Sequence, residues 1–505
     1  MLLISVFLMR SDSLEYIIAS YFRVLTGLAM PGNLFSFFIW FSVAPFLYSF
    51  SHSKGTFERL LKLFLYSYSL MVTTLWWEIP VLSKNIPEVI NTFPGYIGFL
   101  SFLLMVLILT LPYYIIWFLG ELYFRKSRVI NFKSLVFFSV FSYAAAEILK
   151  EFGDFAFTGG NLSDALYQHI GFLQILPFTG TIGLTILILF VNSIIAFVSE
   201  RERVKYAVII IGSLYLVNFV ISEKLPYVKM NDNAVKVSVF QTNVPQEVKY
   251  SDNTWSSYVE ISNYLQEHSE KSDLLILPEA VFIRDIRDSE IFRIIQEAVK
   301  MSDKNWIIGF PTVNSEKREF YNSAIYLNKN GQIEKIYNKI RLMPFAEFLP
   351  YENIFKMFSF FKLVNYYTPG KEYSVLDLNN KKFSVQICFE TYFPEISRNF
   401  VKNGAQFLVA ISNDGWFSQK TALIQHFSKA VFRAVENRRT FIQVSNTGIT
   451  GIVDKYGRIV ETLPIKAYVG EKFSVPLETE ETFYTKYADI ILVTILILAL
   501  LFSLI

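Results

Sequence analysis

The sequence predicts a helical membrane bundle joined to one α/β domain. Hydrophobic residues make up 52% of the chain and the mean hydropathy is +0.36, both high for a soluble protein. Residues 1–222 form long apolar runs separated by short polar loops, whereas residues 227–482 mix charged segments with short apolar runs. We therefore predict a membrane domain over 1–226, an α/β domain over 227–482 and a C-terminal transmembrane helix over 483–505.

The predicted membrane part follows from the length of the apolar runs, because a span needs about 20 apolar residues. Runs that approach or meet this length lie at roughly 12–30, 34–50, 60–80, 96–119, 132–149, 178–198, 205–222 and 490–505. Arg23 interrupts the first run, which makes it the weakest. Further spans follow it at once, so we expect eight spans and no cleaved signal peptide.

The charges in the loops predict an orientation. Ten Lys and Arg residues follow the second, fourth and sixth spans, against Lys84 and Lys150 in the alternate loops. Basic loops stay in the cytoplasm, so both termini are predicted to be cytoplasmic and the α/β domain to lie on the outer side. Polar residues near the outward span ends are either functional groups or interfacial groups that face water: Glu78, Glu147, His169 and Gln174.

The α/β domain is predicted from buried strands, hairpin turns and amphipathic helices. The predicted strands are Val235–Phe240, Leu274–Leu277, Trp306–Phe310, Phe383–Cys388, Phe407–Ile411 and Phe441–Val444. Turns at Asn330-Gly331 and Tyr456-Gly457 predict two hairpins, because glycine supplies the positive φ that such turns need. The predicted helices are Trp255–Glu270, Glu290–Met301 and Lys420–Arg438.

Cys388, the only cysteine, is predicted to end a strand at a sharp turn before a helix. Such a turn exposes a nucleophile and directs backbone N–H groups at its target. A free cysteine is also commonly a buried and inert hydrophobe. The neighbouring chemistry favours the nucleophile, because Glu279 and Lys339 also follow predicted strands.

A glutamate, a lysine and a cysteine are together sufficient for acyl transfer. The carboxylate can act as the base that a thiol needs, and the ammonium can stabilise both the thiolate and the oxyanion of a tetrahedral intermediate. No metal or histidine is required for this chemistry. The alternative is that Glu279 and Lys339 form an ordinary structural ion pair.

Several motifs resemble those of the nitrilase superfamily. They are Pro278-Glu279, Tyr337-Asn338-Lys339, Pro344-Phe345-Ala346-Glu347, Cys388-Phe389-Glu390 and Asn413-Asp414-Gly415-Trp416-Phe417. The predicted spans narrow the resemblance to the apolipoprotein N-acyltransferases. It is supported by Gln241-Thr242-Asn243, Gln425-His426, Arg433-Ala434-Val435-Glu436 and Asn446-Thr447-Gly448, and it covers nearly the whole chain.

This resemblance implies an αββα sandwich carried on eight spans. It assigns the acid–base role to Glu279, the lysine of the site to Lys339 and the nucleophile to Cys388. The supporting residues would be Glu347 beside the lysine, Glu390, which would orient the site, and Phe389, whose N–H would contribute to the oxyanion hole. Phe389 stands where the family frequently has tyrosine, so a phenolic hydrogen bond is absent.

The resemblance also implies the substrates: a phospholipid acyl donor and a diacylglyceryl-cysteine lipoprotein acceptor in a bacterial inner membrane, joined by a thioester intermediate. No cofactor or metal is implied, and the net charge of +3 with no basic tract gives no sign of nucleic acid. Tyr250, Trp416 and Phe417 are candidate substrate-binding residues. Trp416 and Phe417 fit an apolar wall better than a catalytic role, and an aromatic wall could guide acyl chains.

Two other functions are compatible with parts of the sequence. A membrane-anchored amidohydrolase could use the same three residues, but a small soluble substrate gives no reason for eight spans. An acyl-lipid-binding protein with an inactive domain would not need Glu279, Lys339 and Cys388 together. His426 is interpreted as a supporting or packing residue rather than a base, and Asn413-Asp414 as a pair that fixes a loop.

Overall fold

A computed structural model describes residues 24–90, 93–126, 131–198, 200–228, 234–249, 261, 272–281, 289–357 and 366–504. The chain divides into two compact units. The helical unit comprises Met1–Ser83, Pro94–Leu225 and Lys486–Ile505, and the α/β unit comprises Lys84–Phe93 and Pro226–Thr485. The predicted helix Trp255–Glu270, except Ile261, and most of the predicted span 12–30 lie outside the described residues.

The helical unit is built from long helices and short helical turns. The long helices are α1 (Ala44–Ser51), α2 (Thr56–Thr74), α3 (Gly95–Leu109), α4 (Tyr114–Lys126), α5 (Phe132–Leu149), α6 (Thr181–Phe197) and α7 (Glu200–Lys224). Short turns occur at Ser36–Trp40, Glu78–Pro80, Leu111–Tyr113, Leu162–Leu166, Ile170–Leu173 and Leu176–Thr179. Two further short helical segments involve the part of the chain assigned to the α/β unit: Val81–Asn85 ends inside Lys84–Phe93, and Ile86–Ile90 lies within it.

Four helical segments among the described residues are long and apolar enough to cross a membrane. They are Gly95–Arg125, Phe132–Leu149, Glu202–Lys224 and Phe483–Leu504. A fifth candidate is the pair Ile170–Thr179 and Thr181–Phe197, which is bent by 118° at Gly180. The φ of Gly180 is +66°, a left-handed value that glycine adopts without strain and that ends the first helix of the pair.

The core of the helical unit forms where apolar faces of three long helices meet. Ala144 and Ile148 of α5 pack with Ile182 at the start of α6 and with Ile495 of the C-terminal helix α11 (Phe483–Leu504). The N-terminus of α5 is closed by a reciprocal cap, in which Asn131 accepts from the N–H of Ser134 and the Ser134 hydroxyl accepts from the N–H of Asn131.

The α/β unit contains two six-stranded sheets among the described residues. Their strands are β1 (Val235–Gln241), β2 (Leu274–Ile276), β3 (Asn305–Asn314), β4 (Glu319–Leu327), β5 (Ile333–Asn338), β6 (Val375–Leu378), β7 (Lys381–Ile387), β8 (Phe407–Ser412), β9 (Phe441–Ser445), β10 (Gly451–Val453), β11 (Ile459–Thr462) and β12 (Val469–Val475). The order is β12-β1-β2-β3-β4-β5 in one sheet and β11-β10-β9-β8-β7-β6 in the other.

Helices cover the outer faces of both sheets. Helix α8 (Ser289–Ser302) packs Ile291, Ile295 and Val299 against the first sheet. Helices α9 (Pro394–Lys402) and α10 (Lys420–Asn437) pack on the second sheet. The inner faces meet where the rings of Tyr326 on β4 and Phe383 on β7 lie 5.8 Å apart. The α/β prediction and the αββα arrangement implied by the resemblance are confirmed.

The two predicted hairpins are also confirmed. Strand β4 pairs with β5 across Gly331, whose φ is +75°, and β10 pairs with β11 across Gly457, whose φ is +91°. Strands β1, β2 and β3 are mutually parallel, as are β7, β8 and β9. Parallel strands bring their carboxyl ends to one edge of a sheet, and the candidate site lies at these ends.

Candidate active site

Cys388 lies at a sharp turn directly after β7 and is partly exposed. Its φ is +49°, a left-handed value that costs a non-glycine residue about 1–3 kcal/mol and is typical of functional sites. The chain then enters a tight helical turn over Cys388–Tyr392 before α9 begins. The prediction of a strand end followed by a sharp turn is confirmed, although Cys388 itself lies just beyond the last residue of the strand.

Glu279 follows β2 and is buried, with 6% of the residue exposed. Its Oε2 accepts a hydrogen bond of 2.8 Å from the backbone N–H of Asn413, which comes directly after β8. The neighbouring strand passes close behind it: a Cβ on Gly309 would lie only 2.5 Å from the Cα of Glu279. This close approach requires glycine at position 309 and fixes the backbone of Glu279 against β3.

Lys339 follows β5, and its ammonium lies between two carboxylates. The Nζ atom is 2.8 Å from Oε2 and 2.9 Å from Oε1 of Glu347, and 3.6 Å from Oε1 of Glu279. Glu347 is itself held by the backbone N–H of Met343, which donates to its Oε2 at 2.8 Å. Strand ends that are far apart in sequence therefore bring Glu279, Lys339 and Glu347 together.

Glu390 connects the loop of Lys339 to the strand of Cys388. Its Oε1 accepts from the Tyr337 hydroxyl and from the Ile340 N–H, each at 2.7 Å. Its Oε2 accepts from the N–H of Ile387 at 2.7 Å. Although burial raises the pKa of Glu390 to about 7, these donors favour its ionised form. Glu390 thus fixes the main chain on both sides of the candidate site.

Asn322 is a site residue that the sequence analysis missed. It lies on β4, and its Nδ2 donates at 2.7 Å to Oε1 of Glu279 and at 2.7 Å to Oε1 of Glu347. Its carbonyl oxygen accepts from the N–H of Lys339 at 2.9 Å. In the sequence, Asn322 is marked only by its position just before the apolar segment Ala324–Leu327. Its place between the two carboxylates depends on the register of β4 with β5, which the sequence does not reveal.

Burial is the main factor that disfavours the thiolate form of Cys388. Burial raises the pKa of the Cys388 thiol well above its ordinary value, Glu279 raises it further and Lys339 lowers it. Burial lowers the pKa of Lys339, but Glu347 and Glu279 outweigh that effect and the pKa rises overall. These shifts favour the ammonium form of Lys339 and the thiol form of Cys388, and a thiol requires a base to become a nucleophile.

A buried histidine, His426, supports the turn of Cys388 through its hydrogen bonds. The Nε2 of His426 lies 3.1 Å from the carbonyl oxygen of Cys388 and 2.9 Å from Oγ1 of Thr391, which itself donates to that carbonyl. The Nδ1 lies 2.9 Å from Oδ1 of Asp414. Both ring nitrogens therefore face acceptors. Burial lowers the pKa of His426, but the Asp414 carboxylate and these hydrogen bonds raise it overall.

Cys388, Asp414 and His426 also form a possible set of metal ligands. One donor atom of each lies within 4.8 Å of the other two. Thiolate, imidazole and carboxylate are ligands of the kind that zinc binds in proteins. The hydrogen bonds of His426 already engage both ring nitrogens, so a metal here would have to replace one of them. The geometry fits the supporting role that the sequence analysis assigned to His426.

The remaining candidate residues have different positions. Phe389 is buried, and its ring lies 5.1 Å from that of Phe393. Trp416 ends the helical turn Asp414–Trp416, its carbonyl accepts from Asn85 at 2.7 Å, and Phe417 follows it, partly exposed. Tyr250 lies outside the described residues. The assignment of Tyr250, Trp416 and Phe417 to substrate binding stays a prediction.

Comparison with known proteins first defines the class. A family model described as carbon-nitrogen hydrolase matches residues 236–467, a range that includes every site residue described above. A second model, the apolipoprotein N-acyltransferase N-terminal domain, matches residues 24–194. The α/β unit is therefore of the nitrilase type, as its two-sheet topology indicates.

Similar full-length proteins then define the family. The chain is 38% identical over 466 residues to a protein named apolipoprotein N-acyltransferase from Thermotoga maritima, covering 92% of this chain and 88% of that one. It is 31% identical over 350 residues to a protein of the same name from Geobacter metallireducens, covering 66% and 67%. The chain belongs to the apolipoprotein N-acyltransferase family.

A solved structure aligns with part of the chain. It is that of Saccharomyces cerevisiae Nit3, described as a member of branch 10 of the nitrilase superfamily. The alignment covers 52% of this chain and 97% of Nit3, with 18% identity and a TM-score of 0.39.

Proposed function

We propose that this protein transfers a fatty acyl chain from a membrane phospholipid to the N-terminal amine of a diacylglyceryl-cysteine lipoprotein, by way of a thioester on Cys388. One observation carries this proposal. Glu279 and Lys339 lie at strand ends with Oε1 and Nζ 3.6 Å apart, and both groups shift the pKa of the Cys388 thiol. This arrangement occurs in a chain similar along 92% of its length to a protein named for that activity.

The first half-reaction forms the acyl-enzyme. Glu279 takes the proton of the Cys388 thiol as the sulfur attacks the ester carbonyl of the phospholipid. The Lys339 ammonium and the N–H of Phe389 stabilise the oxyanion that forms. When the intermediate collapses, the ester C–O bond breaks and Glu279 returns the proton to the departing glycerol oxygen. The products are a lysophospholipid and a thioester on Cys388.

The second half-reaction uses the same groups in reverse. The lipoprotein amine attacks the thioester carbonyl, and Glu279 takes a proton from the attacking nitrogen. The C–S bond then breaks, an amide forms and the thiolate is protonated again. This two-step exchange predicts ping-pong kinetics. Glu347 holds Lys339 in place throughout, and Glu390 keeps the loops of Lys339 and Cys388 in register.

We assign the membrane context on the same basis. Residues 1–226 and 483–505 would supply eight spans, of which the four apolar helices and the bent pair are candidates. Residues 227–482 would form the catalytic domain on the outer side of the bacterial inner membrane, with both termini in the cytoplasm, following the bias of basic loops. Tyr250, Trp416 and Phe417 would line the path of the acyl chains.

The proposal is tested by following the acyl chain. Purified protein in proteoliposomes of palmitoyl-oleoyl phosphatidylethanolamine would be mixed with a synthetic diacylglyceryl-cysteine peptide. We expect a peptide product heavier by one fatty acyl group, together with a lysophospholipid, both identified by mass spectrometry. Ammonia release from small amides, with no acylated peptide, would contradict the proposal and favour an anchored amidohydrolase.

A further inference from the structure

A second buried lysine of the α/β unit, Lys249, has no part in the chemistry described so far. It ends the short helical turn Gln246–Lys249 that follows β1, and only 1% of the residue is exposed. Burying an ammonium is costly unless hydrogen bonds and charges compensate for the lost water. The partners of Lys249 therefore indicate what its burial achieves.

The ammonium of Lys249 joins a backbone carbonyl to a side chain from another loop. Its Nζ donates to the carbonyl oxygen of Ala280 at 2.9 Å and to Oδ1 of Asn413 at 3.2 Å. The φ of Ala280 is +48°, a left-handed value that alanine adopts only at a cost. The hydrogen bond to Lys249 helps to hold that strained peptide in place.

The two described hydrogen-bond acceptors of Lys249 are next to Glu279. Ala280 is the following residue, and the backbone N–H of Asn413 donates to Oε2 of Glu279 at 2.8 Å. The side chain of Asn413 is also fixed by Asn446, whose Nδ2 donates to its Oδ1 at 3.1 Å. Lys249 thus links the main chain that follows Glu279 to Asn413, the residue whose N–H donates to the Glu279 carboxylate.

The charge of Lys249 is coupled to the same carboxylate. Burial lowers the pKa of Lys249 to about 7, and Glu279 opposes that shift. Near neutral pH the ammonium form is therefore maintained in part by Glu279. The Nζ of Lys339 lies 3.6 Å from Oε1 of Glu279, so two lysines from different loops interact electrostatically with this one carboxylate.

We propose that Lys249 is a positioning residue for Glu279: it ties the Ala280 carbonyl to the Asn413 side chain and so directs the Glu279 carboxylate at the protons it must transfer. This inference rests on the proposed function, because Glu279 must act as the base. It adds a residue outside the Glu279, Lys339 and Cys388 set, one whose described hydrogen bonds go to Ala280 and Asn413.

The test measures both half-reactions by single turnover in proteoliposomes of palmitoyl-oleoyl phosphatidylethanolamine. Acyl-enzyme formation is followed by intact mass, and its decay is followed after addition of the diacylglyceryl-cysteine peptide. The variants are Lys249→Met and Lys249→Gln, and rates are normalised to the amount of protein that can be acylated. Lys304→Met is the matched control, because Lys304 is also buried but precedes β3, at the opposite end of the sheet.

We expect Lys249→Met to slow both half-reactions by about 10- to 100-fold, as expected when a catalytic group moves by roughly 1 Å. The KM for the peptide should not change, because the role proposed for Lys249 is to position Glu279 and not to bind the peptide. Lys249→Gln retains a hydrogen-bond donor, so its rates should fall less than those of Lys249→Met. If Lys249→Met does not fold, Lys249→Gln replaces it as the test. Lys304→Met should keep the wild-type rates.

A double-mutant cycle separates positioning from a general structural role. In a Glu279→Gln background, Lys249→Met should change the residual rate by less than about 2-fold, because its effect passes through Glu279. An equal loss in both backgrounds, or normal rates per acylatable Lys249→Met molecule, would overturn the inference while leaving the proposed function intact. A wild-type protein that forms no acyl-enzyme would overturn both.

Discussion

Glu147 and Lys150 in the helical unit and Glu279 and Lys339 in the α/β unit are both buried pairs of a carboxylate and a lysine, but their hydrogen bonds differ. Glu147 accepts from the Leu162 N–H at 2.7 Å and from the Thr185 hydroxyl at 2.5 Å. Lys150 donates to the carbonyl of Gly159 at 2.8 Å and to Asn161 at 2.7 Å.

In the α/β unit, both members of the pair act on a third group. Lys339 lies 3.6 Å from Glu279, and both shift the pKa of the Cys388 thiol. In the helical unit, the hydrogen bonds of Glu147 and Lys150 connect the end of α5 to α6 and to the segment that includes the Leu162–Leu166 turn. This difference shows that a buried carboxylate and a buried lysine do not by themselves identify a reactive site. A nucleophile whose pKa the two groups shift is also needed. Four substitutions test this contrast.

Glu279→Gln should have the largest effect of the four. The amide keeps the size of the side chain but cannot accept a proton, so both half-reactions should slow by about 10²–10⁴-fold. Single-turnover rates of acyl-enzyme formation and of its reaction with the diacylglyceryl-cysteine peptide measure this loss. A variant impaired in only one half-reaction would contradict the proposal that one base serves both.

Asn322→Leu should slow the overall reaction by about 10- to 100-fold. The substitution removes the only described side-chain amide that donates to both Glu279 and Glu347, so the two carboxylates should repel each other and shift Lys339. Steady-state transfer to the peptide is the measurement. Tyr321→Phe is the matched control on the same strand, where the hydroxyl donates to Glu319 instead. Equal losses in both variants would refute a specific role for Asn322.

His426→Gln should lower stability in a pH-dependent way. The folded-state pKa of His426 lies above its ordinary value of 6.5, so the protonated ring contributes its full stability below pH 6.5. That contribution is lost as pH rises through the folded-state pKa. The wild type should exceed the variant by about 1–3 kcal/mol at mildly acidic pH, and this advantage should shrink at alkaline pH.

Chemical unfolding in detergent at several pH values measures this difference. A gap between wild type and His426→Gln that stays constant with pH would show that the ring is uncharged throughout. The transfer rate should fall less in His426→Gln than in Glu279→Gln. The reason is that the hydrogen bond of His426 is to the carbonyl oxygen of Cys388 and not to its sulfur.

Glu147→Gln should have the smallest effect on activity. Its amide would place a donor against the Leu162 N–H or the Thr185 hydroxyl, so the free energy of unfolding should fall by about 1–3 kcal/mol. The rate per folded molecule should stay within about 2-fold of the wild type, because the change lies outside the α/β unit that holds the candidate site. A large loss of rate in a fully folded variant would remove the contrast between the two buried pairs.

Local sequence patterns predicted most of the α/β unit. Apolar runs located β1, β2, β3, β7, β8 and β9, and the Asn-Gly and Tyr-Gly turns located two hairpins, because these signals depend on neighbours in the chain. Strand β12 was not predicted. It is only partly buried, and it is defined by antiparallel pairing with β1, more than 200 residues away in sequence.

The candidate site was predictable to a similar extent. Glu279, Lys339 and Cys388 follow strands, and their motifs resemble a known family. Asn322 and Lys249 carry no such signal, because their roles depend on which loops the sandwich brings together. The number of spans was also difficult to predict, because helices such as α2 carry Glu58, Arg59 and Lys62 in their first turns, and an apolar run alone does not define where a helix bends.

The central claim is that the acyl group passes through Cys388, and intact mass spectrometry tests it most directly. Protein incubated with palmitoyl-oleoyl phosphatidylethanolamine and no acceptor should gain the mass of one fatty acyl chain. Hydroxylamine or the diacylglyceryl-cysteine peptide should remove it, and Cys388→Ala should never acquire it. An acylated peptide made by wild-type protein with no adduct on Cys388, or an adduct that persists in Cys388→Ala, would contradict the thioester mechanism.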